Sequence, residues 1–278
     1  MKNYRTYIGI DVAKLTLDYC IVKEDPQLEQ GQILNTQKSV DKFLKTLKKT
    51  GCQMNETLFV FENTGIYSSL LALVLSENSL DYAQVPALEI KRSLGITRGK
   101  SDKVDAKEIA HYAKRNTDKI ALSTLPELSL QQLKIVFAER EKTVAAIKTF
   151  ERTKENEMFL TKEVFNSVKA INNQTVKHLK KQLVMLDEKI RTLIREDENL
   201  YGQQQLLKSI PGIGDITSVY ILMATKGFTA FTSGRKFACY SGVAPFEHSS
   251  GTSIKGKTRV SHLKDKKMKT LLHMASLT

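Results

Sequence analysis

Residues 7–11, YIGID, and residues 58–62, LFVFE, are the two stretches of this sequence that decide its fold. Each is a short apolar run rich in β-branched and aromatic residues, which is typical of a buried strand. Each run ends in a carboxylate, Asp11 in the first and Glu62 in the second. Because an unpaired carboxylate is costly in an apolar core, the two acids indicate a compensated site where the strands end.

Strand and helix patterns alternate around these two runs. We predict a second strand over 15–22, a short third strand over 32–34, a helix over 40–47, a helix over 67–75, and a strand over 82–85. A further helical pattern begins at Asp102. Strands followed by alternating strand–helix units predict an α/β sheet domain over residues 1–125.

The helix that begins at Asp102 adds a second pair of acids. Asp102 and Asp105 are three residues apart, so they share one helix face. Alone, such a pair is common at helix N-termini, where it interacts with the helix dipole, and Asp11 alone is compatible with a turn. Four carboxylates in one domain, however, supply the hard oxygen ligands that a divalent metal ion prefers.

The charge of the chain indicates a nucleic-acid partner. Lys and Arg number 43 against 30 Asp and Glu, which gives a net charge of +13 and a pI near 9.5. Such a charge is the electrostatic footprint of a nucleic-acid binder, although a soluble basic protein remains the alternative. The last 28 residues are especially basic, since Asp265 is their single acid.

No targeting or membrane segment is recognised in the sequence. The most apolar stretch, residues 70–75, is far shorter than the roughly 20 residues that a bilayer requires. The three cysteines are in no metal-ligand spacing and fit a reducing compartment. We therefore expect a cytoplasmic protein that does not enter a membrane.

The pattern changes at Pro126. Residues 126–200 are helical and charged, and six apolar residues follow a 3,4,3,4,3 spacing: Val176, Leu179, Leu183, Leu186, Ile190 and Leu193. This spacing predicts a coiled-coil seam. Either an intramolecular helical hairpin or a dimerisation coiled coil satisfies it.

Residues 201–278 form the third predicted domain, which we expect to be mainly α-helical. It opens with SIPGIG at 209–214, a glycine-rich turn between two apolar helices. Such a turn resembles a helix-hairpin-helix unit, in which Gly212 and Gly214 present backbone N–H groups to a phosphate. An ordinary helix–helix turn is the simpler alternative.

Six motifs together resemble one family. They are GIDVAK (9–14), FENTGIY (61–67), KSDKVDA (100–106), SIPGIG (209–214), YSGVAP (240–245) and SGTSIKG (250–256). In this order they resemble the DEDD transposases of the insertion-sequence family often called "one-ten", to which the Piv-type DNA invertases are related. The resemblance covers essentially the whole chain.

The resemblance implies a fold and a chemistry. It implies an α/β RNase H-like (RuvC-like) N-terminal domain, a coiled-coil middle and a C-terminal transposase domain. In such enzymes the acids that match Asp11, Glu62, Asp102 and Asp105 bind Mg²⁺, with Mn²⁺ as an alternative. The implied partners are double-stranded DNA, a structured noncoding guide RNA and further copies of the chain, as a dimer or tetramer.

The resemblance also implies a serine nucleophile that forms a phosphoserine link to DNA. Ser250, before Gly251, matches the catalytic Ser-Gly of the family, and Ser249 and Ser253 are its competitors. We expect phosphate contacts from the following basic residues: Arg98, Lys100, Lys255, Lys257 and Arg259. The alternative functions are a Piv-like DNA invertase, a structure-selective nuclease that needs only the acids, and a non-enzymatic nucleic-acid-binding protein. Because family members generally continue beyond the region that matches 269–275, we also expect a shortened C-terminal domain.

Overall fold

The computed structural model describes residues 2–23, 28–94, 102–250, 254–260 and 264–278. The chain divides into two compact units, Met1–Leu125 and Pro126–Thr278. Within the described residues, no helix is long and apolar enough to cross a membrane.

The first unit is built around a mixed five-stranded sheet. Its strands are β1 (Thr6–Val12), β2 (Thr16–Lys23), β3 (Leu28–Leu34), β4 (Thr57–Glu62) and β5 (Tyr82–Val85), and its helices are α1 (Gln37–Lys49), α2 (Ile66–Glu77), α3 (Ala87–Leu94) and α4 (Asp102–Arg115). The strand order is β3-β2-β1-β4-β5. β2 pairs antiparallel with both β1 and β3, whereas β4 is parallel to β1 and β5. The predicted α/β class is confirmed.

β3 is longer than the sequence predicted. It covers Leu28–Leu34, where only 32–34 was expected, and most of its side chains are exposed. Because β3 is an edge strand that buries little on either face, its residues do not show the alternation by which a half-buried strand is recognised.

The two faces of the sheet pack against different helices. Ile8 and Ile10 of β1 belong to a core cluster that includes Val40 of α1 and Leu71 of α2. The alternate residue Tyr7 packs instead with Ile109 of α4. Because successive side chains of a strand point to opposite faces, α1 and α2 cover one face and α4 covers the other.

A glycine allows α4 to approach the sheet. A Cβ atom built on Gly9 would lie 2.2 Å from the backbone nitrogen of Ala110 and 2.4 Å from the carbonyl oxygen of Ala106. Both alanines are fully buried against Cys20 and Val22 of β2. Small residues on both sides of this contact therefore set the distance between α4 and the strands beneath it.

The second unit is mainly helical. Its helices are α5 (Leu128–Arg152), α6 (Lys162–Arg195), α7 (Glu198–Lys208), α8 (Asp215–Thr225), α9 (Gly234–Ser241) and α10 (Lys266–Ala275). Two strands, β6 (Pro245–Ser250) and β7 (Ile254–Val260), form an antiparallel hairpin that the sequence analysis did not predict. The C-terminal segment is thus helical with an inserted β-hairpin.

The predicted heptad seam lies in α6, which packs antiparallel to α5 of the same chain. Arg140 Nε of α5 donates to Asp187 Oδ1 at 2.6 Å, and Lys180 Nζ lies 2.8 Å from Glu151 Oε1, so the two helices run in opposite directions. Of the two alternatives given above, this arrangement is the intramolecular helical hairpin. The association of copies through the seam stays a prediction.

The base of this hairpin shares its core with the helices that follow. Leu133 of α5 and Ile194 of α6 pack in one cluster with Leu200 of α7 and Val219 of α8. The segments expected over 126–200 and 201–278 are therefore joined by a common hydrophobic core.

Replacing Gly9 by alanine is expected to destabilise the first unit by at least about 2 kcal/mol, because the added methyl group meets α4 backbone that has no room to move. Urea unfolding measures the loss. Gly202→Ala is the control, since nothing lies within 4 Å of a Cβ at this exposed helical position. That variant should be more stable by about 0.5–1 kcal/mol. Equal stabilities for Gly9→Ala and the parent protein would contradict the close contact.

Candidate active site

Two of the predicted acids lie on the face of the sheet that α4 covers. Asp11 follows Gly9 by two residues in β1, and Glu62 follows Val60 by two residues in β4. Gly9 and Val60 both face α4, as their contacts show. Side chains two residues apart in a strand share a face, so Asp11 and Glu62 point to the α4 side, where β1 and β4 end.

The direction of α4 brings its own acids to the same edge. Ala106 and Ala110 lie over Gly9, whereas Thr117, just beyond the end of α4, donates a hydrogen bond of 3.2 Å to the Tyr7 hydroxyl. Because α4 therefore runs towards the beginning of β1, its first turn lies towards Asp11. Asp105 of this turn is half-buried.

Sequence reasoning missed a buried carboxylate beside Asp11. Asp18 of β2 pairs directly with Asp11 across the antiparallel ladder and is only 2% exposed. Its two carboxylate oxygens accept hydrogen bonds of 3.1 and 2.9 Å from the Gln32 side-chain amide of β3. Two like charges placed directly opposite each other in a sheet are unfavourable unless a cation or a donor compensates them. The register of a β1–β2 hairpin could have indicated this acid.

Asp11, Glu62 and Asp105 come to one edge of the sheet but do not form a closed ligand set in the part of the chain that the structure describes. Among the residues that the structure describes, no three carboxylate, imidazole or thiol groups are near enough together to hold a metal ion. Asp102 begins α4, and its side chain lies outside the described part. Arg98 and Lys100 also lie outside the described residues. The metal-ligand role of the four acids stays a prediction.

An asparagine connects the two turns that follow the acid-bearing strands. The Asn35 amide nitrogen, just after β3, donates hydrogen bonds of 3.0 Å to the carbonyl oxygens of Ala13 and Tyr67. Ala13 lies two residues beyond Asp11, and Tyr67 is in the first turn of α2, five residues beyond Glu62. Asn35 therefore fixes the position of one turn relative to the other. No motif in the sequence marked this residue.

The expected nucleophile lies in the second unit, on the β-hairpin. Ser250 is the last residue of β6 and pairs with Ile254, while its competitor Ser249 pairs with Lys255. Lys257 and Arg259 are in β7, and Ser253 lies outside the described residues. The hairpin thus brings the serines and the basic segment into neighbouring strands. The alternation of Ile254, Gly256, Thr258 and Val260 with basic residues was the signal that could have predicted β7.

A tyrosine and an aspartate close the base of this hairpin. The Asp265 backbone nitrogen donates to the Tyr240 carbonyl oxygen at 2.9 Å, and the Tyr240 hydroxyl donates to Asp265 Oδ2 at 2.8 Å. The Tyr220 hydroxyl donates to the same oxygen at 2.8 Å, and Asp265 Oδ1 accepts from Met268 N to cap α10. The ends of the segment that contains the hairpin are therefore held together and tied to α8.

The Asp265 network shifts the pKa of each of its members. Burial, which alone would raise the pKa of Asp265, is outweighed by the Met268 N–H and the two tyrosine hydroxyls, so this pKa is lowered. Burial raises the pKa of both Tyr220 and Tyr240, and the hydrogen bonds to Asp265 and its charge raise them further. The network is therefore at its strongest when Asp265 is ionised and both tyrosines are protonated.

Of the two glycines predicted to bind a phosphate, Gly212 has a packing role. Gly212 has φ of 84°, and a Cβ atom there would lie 2.1 Å from the carbonyl oxygen of Ala275 in α10. Gly214 caps α8 without a side-chain hydrogen bond, and nothing lies within 4 Å of a Cβ built on it. The close approach at Gly212 is thus made to the protein itself, and phosphate binding by both glycines stays a prediction.

Asn35→Asp is expected to loosen both turns, because the isosteric carboxylate cannot donate to Ala13 or Tyr67. Two lost hydrogen bonds and the repulsion of two carbonyl oxygens should lower the free energy of unfolding by about 2–3 kcal/mol. Hydrogen exchange should accelerate in peptides that cover 13–16 and 63–70. Asn78→Asp, which removes one 2.8 Å hydrogen bond at the other end of α2, is the matched control and should leave both peptides unchanged. Unaltered exchange in Asn35→Asp would refute the connection.

The Asp265 network predicts the pH range in which the second unit is stable. A lowered folded-state pKa gives stability that is present above the ordinary aspartate pKa of about 3.9 and is lost as the pH falls through the folded value. The raised tyrosine pKa values give stability that is present below about pH 10 and is lost as the pH rises further. Urea unfolding from pH 3 to 11 should show both losses. Asp265→Asn should flatten the acid limb, with Tyr220→Phe and Tyr240→Phe intermediate, whereas parallel acid limbs would count against the network.

Two family models match most of the chain. The DEDD_Tnp_IS110 transposase model matches residues 8–156, and the Transposase IS116/IS110/IS902 family model matches residues 204–278. The first match contains all of the sheet except the first two residues of β1, and it contains all four predicted metal ligands. The second contains α8, α9, the β-hairpin and α10.

Two curated relatives align with nearly the full chain. The pilin gene-inverting proteins of Moraxella bovis and Moraxella lacunata are each 28% identical over 277 residues, which is 98% of this chain and 82% of the relative. The putative transposase y4pF/y4sB of Sinorhizobium fredii is 34% identical over 93 residues, 34% of this chain and 23% of its own. T. thermophilus RuvC in complex with a Holliday junction substrate aligns with 43% of this chain and 100% of its own, at 11% identity and a TM-score of 0.31. The two family matches together show that the chain belongs to the IS110-type DEDD transposases.

Proposed function

We propose that this transposase-family protein is a divalent-metal-dependent DNA recombinase that cuts and rejoins DNA through a serine-linked intermediate. The observation that carries the metal part is the convergence of strand ends and helix start at one edge of the sheet. Asp11, Glu62 and the first turn of α4 meet there on one face. The mixed sheet, with three antiparallel strands followed by two parallel strands, supports a RuvC-like, RNase H-like domain.

The residues at this edge fit Mg²⁺ or Mn²⁺ by their chemistry. Carboxylate oxygens are the ligands that these hard cations prefer, and Mg²⁺ usually keeps several of its waters. Asn35, whose amide nitrogen contacts both turns, and Thr64, two residues after Glu62, each have a buried side-chain oxygen, Oδ1 and Oγ1, with no hydrogen-bond partner among the described residues. Such atoms usually bind ordered water. Asp11, Glu62, Asp102 and Asp105 would hold the ions, which supply charge neutralisation and activation of a hydroxyl.

Ser250 is the proposed nucleophile. Its Oγ would bond to a DNA phosphorus as the phosphorus–oxygen bond to one strand end breaks, with the serine proton passing to a base and a proton returning to the leaving oxygen. Lys255, Lys257 and Arg259 of the paired strand would neutralise the phosphate. A serine hydroxyl is a weak nucleophile until a base or a metal ion activates it. The proposal therefore needs the metal-binding acids as well as the hairpin.

We further propose that a structured noncoding RNA guides the protein and that it acts as a dimer or tetramer. The net charge of +13 supports a large polyanionic partner. The tip of the α5–α6 hairpin supports association, because Met158 and Phe159 are 85% and 83% exposed. Val164, Val168 and Ile171 of α6 are also exposed on the adjoining turns. A soluble protein rarely leaves such a patch uncovered.

A DNA invertase of the Piv type is the second candidate. It is favoured by the 28% identity to the pilin gene-inverting proteins over 98% of this chain. Both candidates use the same residues and differ in the DNA that they join. A substrate with inverted sites yields inversion, whereas a mobile-element end and a separate target yield transposition.

The proposed chemistry predicts a covalent protein–DNA adduct. Supercoiled DNA that carries the element's flanking sequences, its noncoding transcript and Mg²⁺ should give an adduct that survives denaturing electrophoresis. Asp11→Asn and Asp105→Asn should each lower its yield at least about 100-fold, and chelation of the metal should abolish it until Mg²⁺ or Mn²⁺ is restored. Asp41→Asn in α1, on the opposite side of the sheet, is the control and should remain active.

The serine is tested in the same assay. Ser250→Ala should abolish the adduct and Ser249→Ala should retain it, while the reverse pattern would transfer the role to Ser249. Cutting without an adduct in Ser250→Ala would favour the nuclease that needs only the acids. An adduct whose yield does not depend on the transcript would exclude RNA guidance but leave the serine chemistry standing.

A further inference from the structure

We propose that a cavity in the second unit binds one nucleotide of a nucleic-acid strand. The cavity measures about 350 Å³ and lies between α5, α8 and α9. Its lining includes two lysines and an aromatic wall: Lys134, Phe137, Tyr220, Met223, Lys226 and Tyr240. The lysines would hold the phosphate, and Tyr220 and Tyr240, the half-buried rings of the wall, would contact the base. This inference rests on the proposed action on nucleic acid but does not involve the metal site or the serine.

Two cations at the cavity lack a compensating acid. Neither Lys134 nor Lys226 forms an ion pair with a carboxylate in the part of the chain that the structure describes. Desolvation and the neighbouring Lys226 ammonium group lower the pKa of Lys134. Two like charges held near each other are unfavourable until an anion lies between them. A phosphate provides that anion.

The backbone at Lys226 is held in a costly conformation. Lys226 ends α8 with φ of 50° and ψ of 49°, where glycine is the usual residue. Gly227 and Phe228 follow with φ of 63° each, so three successive residues are left-handed. Gln203 Nε2 donates to the Gly227 carbonyl oxygen at 3.3 Å, and Thr225 Oγ1 accepts from Phe228 N at 3.1 Å. Strain that the surroundings maintain in this way is typical of functional positions.

The aromatic wall is fixed in place. The Tyr220 and Tyr240 hydroxyls both donate to Asp265, so neither ring can turn away from the cavity without breaking a hydrogen bond. The Phe137 ring centroid is 5.7 Å from that of Tyr220, and Phe231 is 5.1 Å from Tyr240. Rigid aromatic rings beside a basic groove are the arrangement on which single-stranded nucleic acids stack their bases.

The acids near the cavity are already compensated. Asp265 accepts two tyrosine hydroxyls and the Met268 N–H, and Glu141 pairs with Arg140 at 3.3 Å and with Lys267. Hydrogen bonds and ion pairs thus already engage these acids, and among the described residues Lys134 and Lys226 are the cavity cations that could bind an incoming phosphate. A DNA strand and an RNA strand both offer a phosphate and a base, and the experiment distinguishes them.

The test separates binding from protein stability. The full chain is titrated in EDTA, where no metal-dependent cutting occurs, against labelled single-stranded DNA and RNA oligonucleotides at several salt concentrations. Lys134→Gln and Lys226→Gly should each weaken binding about 5- to 10-fold and reduce the salt slope by about 0.7 per lost phosphate contact. Lys226→Gly should also keep or raise the Tm, because glycine relieves the left-handed strain.

Two controls define the outcome. Lys189→Gln removes one charge from an exposed position of α6 that does not line the cavity, and Lys226→Arg keeps the charge at the cavity. Both should bind within 2-fold of the parent protein. Equal losses in Lys134→Gln, Lys226→Gly and Lys189→Gln, or no loss in the first two, would overturn the assignment.

The two oligonucleotide arms identify the strand. A loss confined to RNA assigns the cavity to the guide, a loss confined to DNA assigns it to the recombining strand, and a loss in both supports a site for either. Failure of the serine chemistry would leave these affinities unchanged, so the two proposals are tested independently.

Discussion

The first unit depends on the contact between α4 and the sheet at Gly9. With no Cβ at this position, the backbone of the helix lies where a side chain would be, 2.2 Å from the built Cβ at its nearest atom. This contact fixes where the helix begins relative to the strand ends. The first turn of α4, with Asp105, therefore lies at the edge that carries Asp11 and Glu62 because α4 packs closely on Gly9, two residues before Asp11.

Residues with no predicted catalytic role hold the strand ends and turns at the acid-bearing edge of the sheet in place. Asn35 holds the turns after β1 and β4 by two hydrogen bonds, and Gln32 satisfies both oxygens of the buried Asp18. Both residues come from β3 or its end, the most exposed strand of the sheet. The edge strand thus contributes polar contacts to the site, whereas it contributes little to the core.

The second unit uses a hydrogen-bond network for a similar purpose. Asp265 caps α10, receives two tyrosine hydroxyls and closes the base of the segment that contains the serine hairpin. Because the same tyrosines form part of the wall of the lysine-lined cavity, the half-buried Asp265 carboxylate supports both features. The hairpin itself was not predicted, since strands that begin after a helix and carry many charged residues look like a polar loop when only apolar runs are sought.

The sequence by itself determined the α/β class of the first unit, the positions of its buried strands and the acids that end them. These features are local, because each can be recognised within about ten residues. They are an apolar run, a hydrophobic period of two or of three to four residues, and a carboxylate at a strand end. The family motifs are equally local, and they mark Ser250 and the basic segment, whose roles stay predictions. Only the tertiary structure decided that Gln32 binds the buried Asp18, that Asn35 connects two turns, and that Lys134 and Lys226 line one cavity. Strand register and the packing of distant helices set these contacts, and neither leaves a periodic signal along the chain.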